Sequence, residues 1–90
     1  MSKPPLSSPW LPAPYIKADI VALQALERGE AEPDQQKRVL KWMIERLCRT
    51  YDPSFIPHSD RESDFAEGRR YVGLQLVKLI NINLANVKLD

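Results

Sequence analysis

The sequence predicts an all-α fold: a small three-helix domain with an extended proline-rich N-terminal arm. Apolar residues recur at three- and four-residue spacing in three stretches, and glycine or proline separates those stretches. Pro4, Pro5, Pro9, Pro12 and Pro14 crowd the first 14 residues, where no regular helix can form. At 90 residues the chain makes a single domain, and a chain of that size buries only about 60–65% of its unfolded surface. Its own core is therefore marginal. The expected organisation is an arm over 1–14, a helical domain over 15–84 and a short tail over 85–90, with helices near 15–28, 33–49 and 60–84.

Proline fixes φ and lacks an N–H, so the arm is extended or polyproline-II-like. Leu6, Trp10, Leu11, Tyr15 and Ile16 are costly groups to leave in water. A stiff strip loses little entropy on docking, and its large side chains supply the burial. The arm reads as a floppy tail or as a clamp, and in a clamp Trp10, Leu11 and Tyr15 are the candidate contacts to a partner.

In the first helix Ile16, Ile20, Leu23 and Leu26 follow the helical spacing, and Gly29 suits a C′ stop. Pro33 suits the first position of the second helix, with Glu32 and Asp34 near its positive end. Val39, Leu40, Met43, Ile44 and Leu47 make its apolar face, and Trp42 falls at the edge, where a ring meets a neighbour. Pro53 and Pro57 break the chain over 50–58, a loop that Phe55 and Ile56 are expected to pin to the core.

Ser59-Asp60-Arg61-Glu62 has capping-box spacing and opens the third and longest helix. Phe65, Val72, Leu76, Leu79 and Ile80 define its expected core face, and Tyr71, Leu74, Val77 and Ile82 a second one. A three-helix domain covers one such face and not both, so something else must cover the remainder. Gly68 and Gly73 each cost about 1 kcal/mol relative to alanine within a helix, a cost that is either simply tolerated or offset by close approach of another backbone.

No constellation for catalysis is present. The one histidine, His58, adjoins Ser59, a pair that is not a catalytic geometry and whose serine is explained as a cap. One histidine and one cysteine cannot build a structural zinc site, and no glycine-rich phosphate loop exists. Asp60, Glu62, Asp64 and Glu67 complement the positive end of the helix, without the loop ligands of a calcium site. Neither an enzyme nor a cofactor is expected. Cys48 reads as a buried spectator thiol, in keeping with a reducing compartment.

The formal charge of +1 gives no net field toward nucleic acid or an anionic membrane. No apolar stretch reaches the roughly 20 residues that span a bilayer, and the first residues lack the apolar core of a signal peptide. Synthesis in the cytoplasm, without membrane attachment, is the expectation. Lys37, Arg38 and Lys41, with Arg46 and Arg49, are the nucleic-acid candidates, but Asp34, Glu45 and Asp52 interrupt them. Arg69 and Arg70 suit two-point pairing with carboxylates of a neighbour.

The stretch Asp64-Phe65-Ala66-Glu67-Gly68-Arg69-Arg70-Tyr71-Val72-Gly73-Leu74-Gln75-Leu76 resembles a motif of small helical proteins from the head-gene clusters of Bordetella-type podophages. The likeness extends over about 35–82 and leaves out the proline arm. It implies phage morphogenesis, no enzymatic activity, and a place among the subunits of the virion, after synthesis in the host cytoplasm. It marks Gly68, Arg69, Arg70 and Gly73 as positions to watch. With the surplus apolar face it yields the expectation of a structural or assembly protein. Such a protein would bind other virion proteins in the head, portal or tail-connector region, as a homo-oligomer or in repeated copies. Its contacts would be Trp10, Leu11, Tyr15, Gly68, Arg69, Arg70, Tyr71, Gly73, Leu74 and Val77. The alternative is a DNA-packaging accessory or small DNA-binding regulator using Lys37, Arg38 and Lys41.

Overall fold

In a computed structural model that describes residues 10–88, the three periodic stretches are helices, and no strand occurs among the described residues. Helix α1, Lys17–Glu27, starts where the Asp19 carboxylate accepts from the Ile16 N–H at 3.0 Å. It stops at Gly29, whose φ of 73° only glycine adopts without strain. Gly29 N–H then bonds the Leu26 carbonyl at 3.0 Å and Glu30 N–H the Ala25 carbonyl at 2.8 Å, a Schellman closure. Helix α2, Pro33–Trp42, begins on the expected proline, with the Gln35 side chain accepting from Glu32 N–H at 2.9 Å. Helix α3, Asp60–Ile80, begins on the expected cap, the Ser59 hydroxyl accepting from Glu62 N–H at 3.1 Å.

The second helix was expected to run regularly to residue 49. It instead widens into a π-turn, Met43–Leu47, closed by Cys48 N–H on the Met43 carbonyl at 2.8 Å. Arg49 then turns left-handed with φ of 48°, and this brings Thr50 back under the turn. Both the N–H and the hydroxyl of Thr50 bond the Ile44 carbonyl, at 3.1 and 2.7 Å. The end of the helix is thereby capped internally, with Thr50 itself buried.

Helix α3 crosses at this point. A Cβ built on Gly73 would overlap the Thr50 hydroxyl and press on the Cys48 and Thr50 Cβ atoms. Close approach does occur at Gly73, but to the Thr50 and Cys48 side chains of this same chain rather than to another backbone, and Gly68 shows none among the described residues. Gly73 is therefore buried in the fold rather than offered to another subunit.

The arrangement is a chain of contacts instead of a closed bundle. α1 packs on α2, α3 packs on the π-turn, and α1 does not meet α3. The molecule measures 48 × 36 × 16 Å, much thinner along one axis than along the other two. Its radius of gyration is 16.0 Å, against about 12 Å for a compact chain of this length. Its accessible surface is 7519 Å², against about 5,400 Å² for a globular chain of its mass.

Which faces are buried departs from expectation. In α1 the alanines Ala22 and Ala25 are buried, while Ile16, Ile20, Leu23 and Leu26 are exposed. In α3 the buried residues are Ala66 and Gly73, while Phe65, Val72, Leu79 and Ile80 lie outside and Leu76 is half-buried. Ile56 pins the loop as expected, but Phe55 is exposed. Among the described residues no leucine or aromatic side chain is buried, whereas the polar Thr50 is. Small residues at the crossings bring backbones together, and the large ones stay on the open side. The third helix also ends earlier than expected, at Ile80, and a short 3-10 turn, Leu84–Asn86, follows.

Gly73→Ala should cost about 2–3 kcal/mol, overpacking outweighing the gain in helix propensity. Gly68→Ala, with open space around its Cβ, should gain up to about 1 kcal/mol. Thr50→Val should lose about 1 kcal/mol by removing one of the two hydrogen bonds to the Ile44 carbonyl, the Thr50 N–H bond remaining. Urea unfolding of dilute protein measures all three.

Candidate interaction surface

The open side of α3 carries Phe65, Tyr71, Val72 and Leu79, which are 48, 60, 54 and 61% exposed. Gly68 lies among them with nothing within 4 Å of its would-be Cβ, so the surface has a notch at that level. Of the other expected contact residues on this helix, Leu74 is exposed at the flank and Val77 is half-buried toward the core side. Arg70 donates to the Glu67 carboxylate at 2.8 Å, so its guanidinium pairs within the chain.

The outer face keeps its shape because its two flanks are fixed. On one flank the loop after the π-turn is tied down: Ser54 donates to Glu67 at 2.8 Å, and the Ser63 hydroxyl exchanges hydrogen bonds with the Ile56 backbone at 2.8 and 3.2 Å. On the other flank lies the described end of the arm. Trp42 Nε1 donates to the Pro14 carbonyl at 2.9 Å, and Trp10 meets Phe65 edge-to-face with ring centroids 5.7 Å apart. Trp10, Leu11 and Tyr15 remain largely exposed, so the arm extends the apolar surface beyond Phe65. Residues 1–9 of the expected clamp lie outside the described residues.

Between arm and π-turn is a cleft of about 570 Å³, walled by Leu11, Pro12, Ala13 and Pro14 and holding Arg46, Arg49 and Arg69. Its positive charge is partly offset: Arg49 donates to Asp52 at 2.8 Å, and Glu45 joins the lining. Arg69 is half-buried with its guanidinium 5.9 Å from the Phe65 ring centre. Burial and then the nearby Arg49 push its pKa down.

The basic candidates Lys37, Arg38 and Lys41 share a groove of about 630 Å³ with Tyr15 and Trp42. Asp19, Asp34 and Glu45 line the same groove, and Arg38 donates to Asp19 at 3.0 Å. Cations with aromatic rings suit a nucleic-acid strand, but interleaved carboxylates repel its phosphates. Among the described residues no group of three or more His, Cys, Asp and Glu side chains is placed to hold a metal ion, and no helix is long and apolar enough to cross a membrane.

Sequence reasoning assigned Phe65, Val72 and Leu79 to the core and so missed them as surface residues. One signal for them was present. Phe65, Gly68, Val72, Gln75, Leu79 and Ile82 alternate spacings of three and four, the pattern of a helix-pairing seam. No family model matches the chain, and comparison with curated proteins and with solved structures returned no match.

Two outcomes are expected of titratable groups. The Ser54 hydroxyl, with Arg70 beside it, holds the Glu67 carboxyl below its ordinary 4.5. A depressed folded-state pKa stabilises fully above the unfolded value and is lost as pH falls through the folded one. Glu67→Gln should therefore lessen the loss of stability on acidification below about pH 4.5 and leave the shape of the profile above it unchanged; unfolding midpoints against pH measure it. Burial raises the Cys48 thiol pKa. In native protein near neutral pH, a chromogenic disulfide reagent should react with Cys48 at the rate of unfolding, and rapidly once urea is added.

Proposed function

We propose that this protein is a non-enzymatic assembly subunit of a bacteriophage particle. It docks on neighbouring virion proteins, in the head, portal or tail-connector region, through the outer face of α3 and the arm. The observation that carries the docking role is the exposed apolar face of α3, set on a flat fold that buries no leucine or aromatic side chain among the described residues. A monomer seldom leaves a contiguous apolar patch of more than a few hundred Å² in water, and larger ones mark interaction sites. The phage setting comes from the resemblance of residues 64–76 to proteins of podophage head-gene clusters. Arg69 lies beside Phe65 at the edge of the docking face, whereas Arg70 pairs with Glu67 of its own helix.

A second reading, DNA packaging or DNA regulation, is favoured by one observation. Lys37, Arg38 and Lys41 share their groove with Tyr15 and Trp42. The carboxylates in that groove weigh against it.

Purified virions of the phage that encodes the chain should contain it at a fixed copy number by quantitative mass spectrometry. Val72→Asp should remove it from particles while leaving its helical circular dichroism intact, because Val72 is exposed. Absence of the wild-type chain from virions would contradict the structural role. For the second reading, duplex DNA binding that weakens steeply with salt and falls on Lys41→Glu is the supporting result. No retardation at low salt removes it.

A further inference from the structure

We propose that the outer face of α3 pairs antiparallel with the same face of a second copy of this chain. This inference rests on the docking role above and names its first partner. The seam residues Phe65, Gly68, Val72, Gln75 and Leu79 recur at alternating three and four, and Ile82 continues the pattern one residue past the Asn81 cap. They lie on the side of α3 away from buried Ala66 and Gly73. Two helices that each carry such a stripe bury it by packing stripe on stripe.

The order of large and small residues selects the direction. In an antiparallel register Phe65 of one copy lies level with Ile82 of the other, Gly68 with Leu79, and Val72 with Gln75. Leu79 then fills the notch at Gly68, where no atom of the described residues outside the helix comes within 4 Å of a would-be Cβ, and the two-fold axis repeats the fit at the other end. The surface is self-complementary, as a two-fold interface requires. A parallel in-register pair instead sets Gly68 on Gly68, leaving a void, and Gln75 on Gln75 in the seam.

The helix dipoles favour the same direction. Antiparallel pairing opposes them, whereas parallel pairing aligns them and crowds Asp60, Glu62 and Asp64 of the two copies together. The partly exposed side chains Phe65, Tyr71, Val72 and Leu79 offer on the order of 500 Å² per copy. Full burial of these side chains in both copies gives about 1,000 Å², the lower bound for a specific interface, and dimer formation depends on protein concentration.

The full chain, followed by sedimentation equilibrium from about 1 µM to about 1 mM, should pass from monomer to dimer. Leu79→Asp and Gly68→Leu should each weaken association by about 100-fold. Gly68→Leu adds helix propensity and removes the notch, so unchanged or increased helicity in that variant separates lost pairing from lost folding. On mild oxidation, a mixture of Gly68→Cys and Leu79→Cys proteins should form a mixed interchain disulfide, and neither variant alone should do so. A chain that stays monomeric at about 1 mM, a dimer indifferent to Gly68→Leu, or self-crosslinking of Gly68→Cys would each overturn the proposal. A monomer that still enters virions by way of α3 would overturn self-pairing and leave the docking role standing.

Discussion

The crossing of α3 over Thr50 at Gly73 is the contact on which the rest of the structure depends. The π-turn and the left-handed Arg49 bring Thr50 under the end of the second helix, where its N–H and hydroxyl both bond the Ile44 carbonyl. That polar cluster occupies the space a core leucine would take elsewhere. α3 reaches it only because residue 73 has no side chain. The tie between α3 and the first two helices is thus a backbone-to-hydroxyl approach sealed by Cys48, Ile44, Ile56 and Ala66. Hydrophobic stabilisation scales with apolar area removed from water, and small side chains remove little.

Flatness follows from that choice. The small residues face inward, α1 and α3 flank one rod without meeting, and a single layer results. A single layer has two broad sides and no closed interior, so among the described residues nothing covers the large apolar groups on α3. What makes the isolated fold marginal also supplies a docking surface that is already shaped. The loop held by Ser54 and Ser63 and the arm held by Trp42 fix its borders. A preordered surface loses less entropy on binding than one that must first be arranged.

Local chemistry made the punctuation of the chain legible from sequence. Gly29 ends a helix because a C′ position needs φ above zero, Pro33 opens one because its missing N–H is unneeded there, and Ser59 caps one with its hydroxyl. Periodicity also located every helix. It failed on which side faces in, because α3 carries two stripes. One is large and apolar through Phe65, Val72 and Leu79, and the other is small through Ala66 and Gly73. Weighing hydrophobicity favours the first, whereas close helix crossing favours the second, and only tertiary geometry decides. The π-turn left no sequence mark, since it arises from Thr50 recapturing the Ile44 carbonyl. Of the candidate site, Tyr71, Leu74 and the arm aromatics were readable as surplus apolar area, but Gly73 was not readable as an internal contact.

The central claim is that the isolated chain keeps its bulkiest apolar side chains outside. Hydroxyl-radical footprinting of dilute, native protein tests it most directly. Phe65, Tyr71 and Leu79 should be oxidised at rates near those in urea, while Ile44 and Ile56 are protected. Protection of Phe65 and Leu79 in the dilute monomer would mean that the chain closes its own core, and would contradict the account.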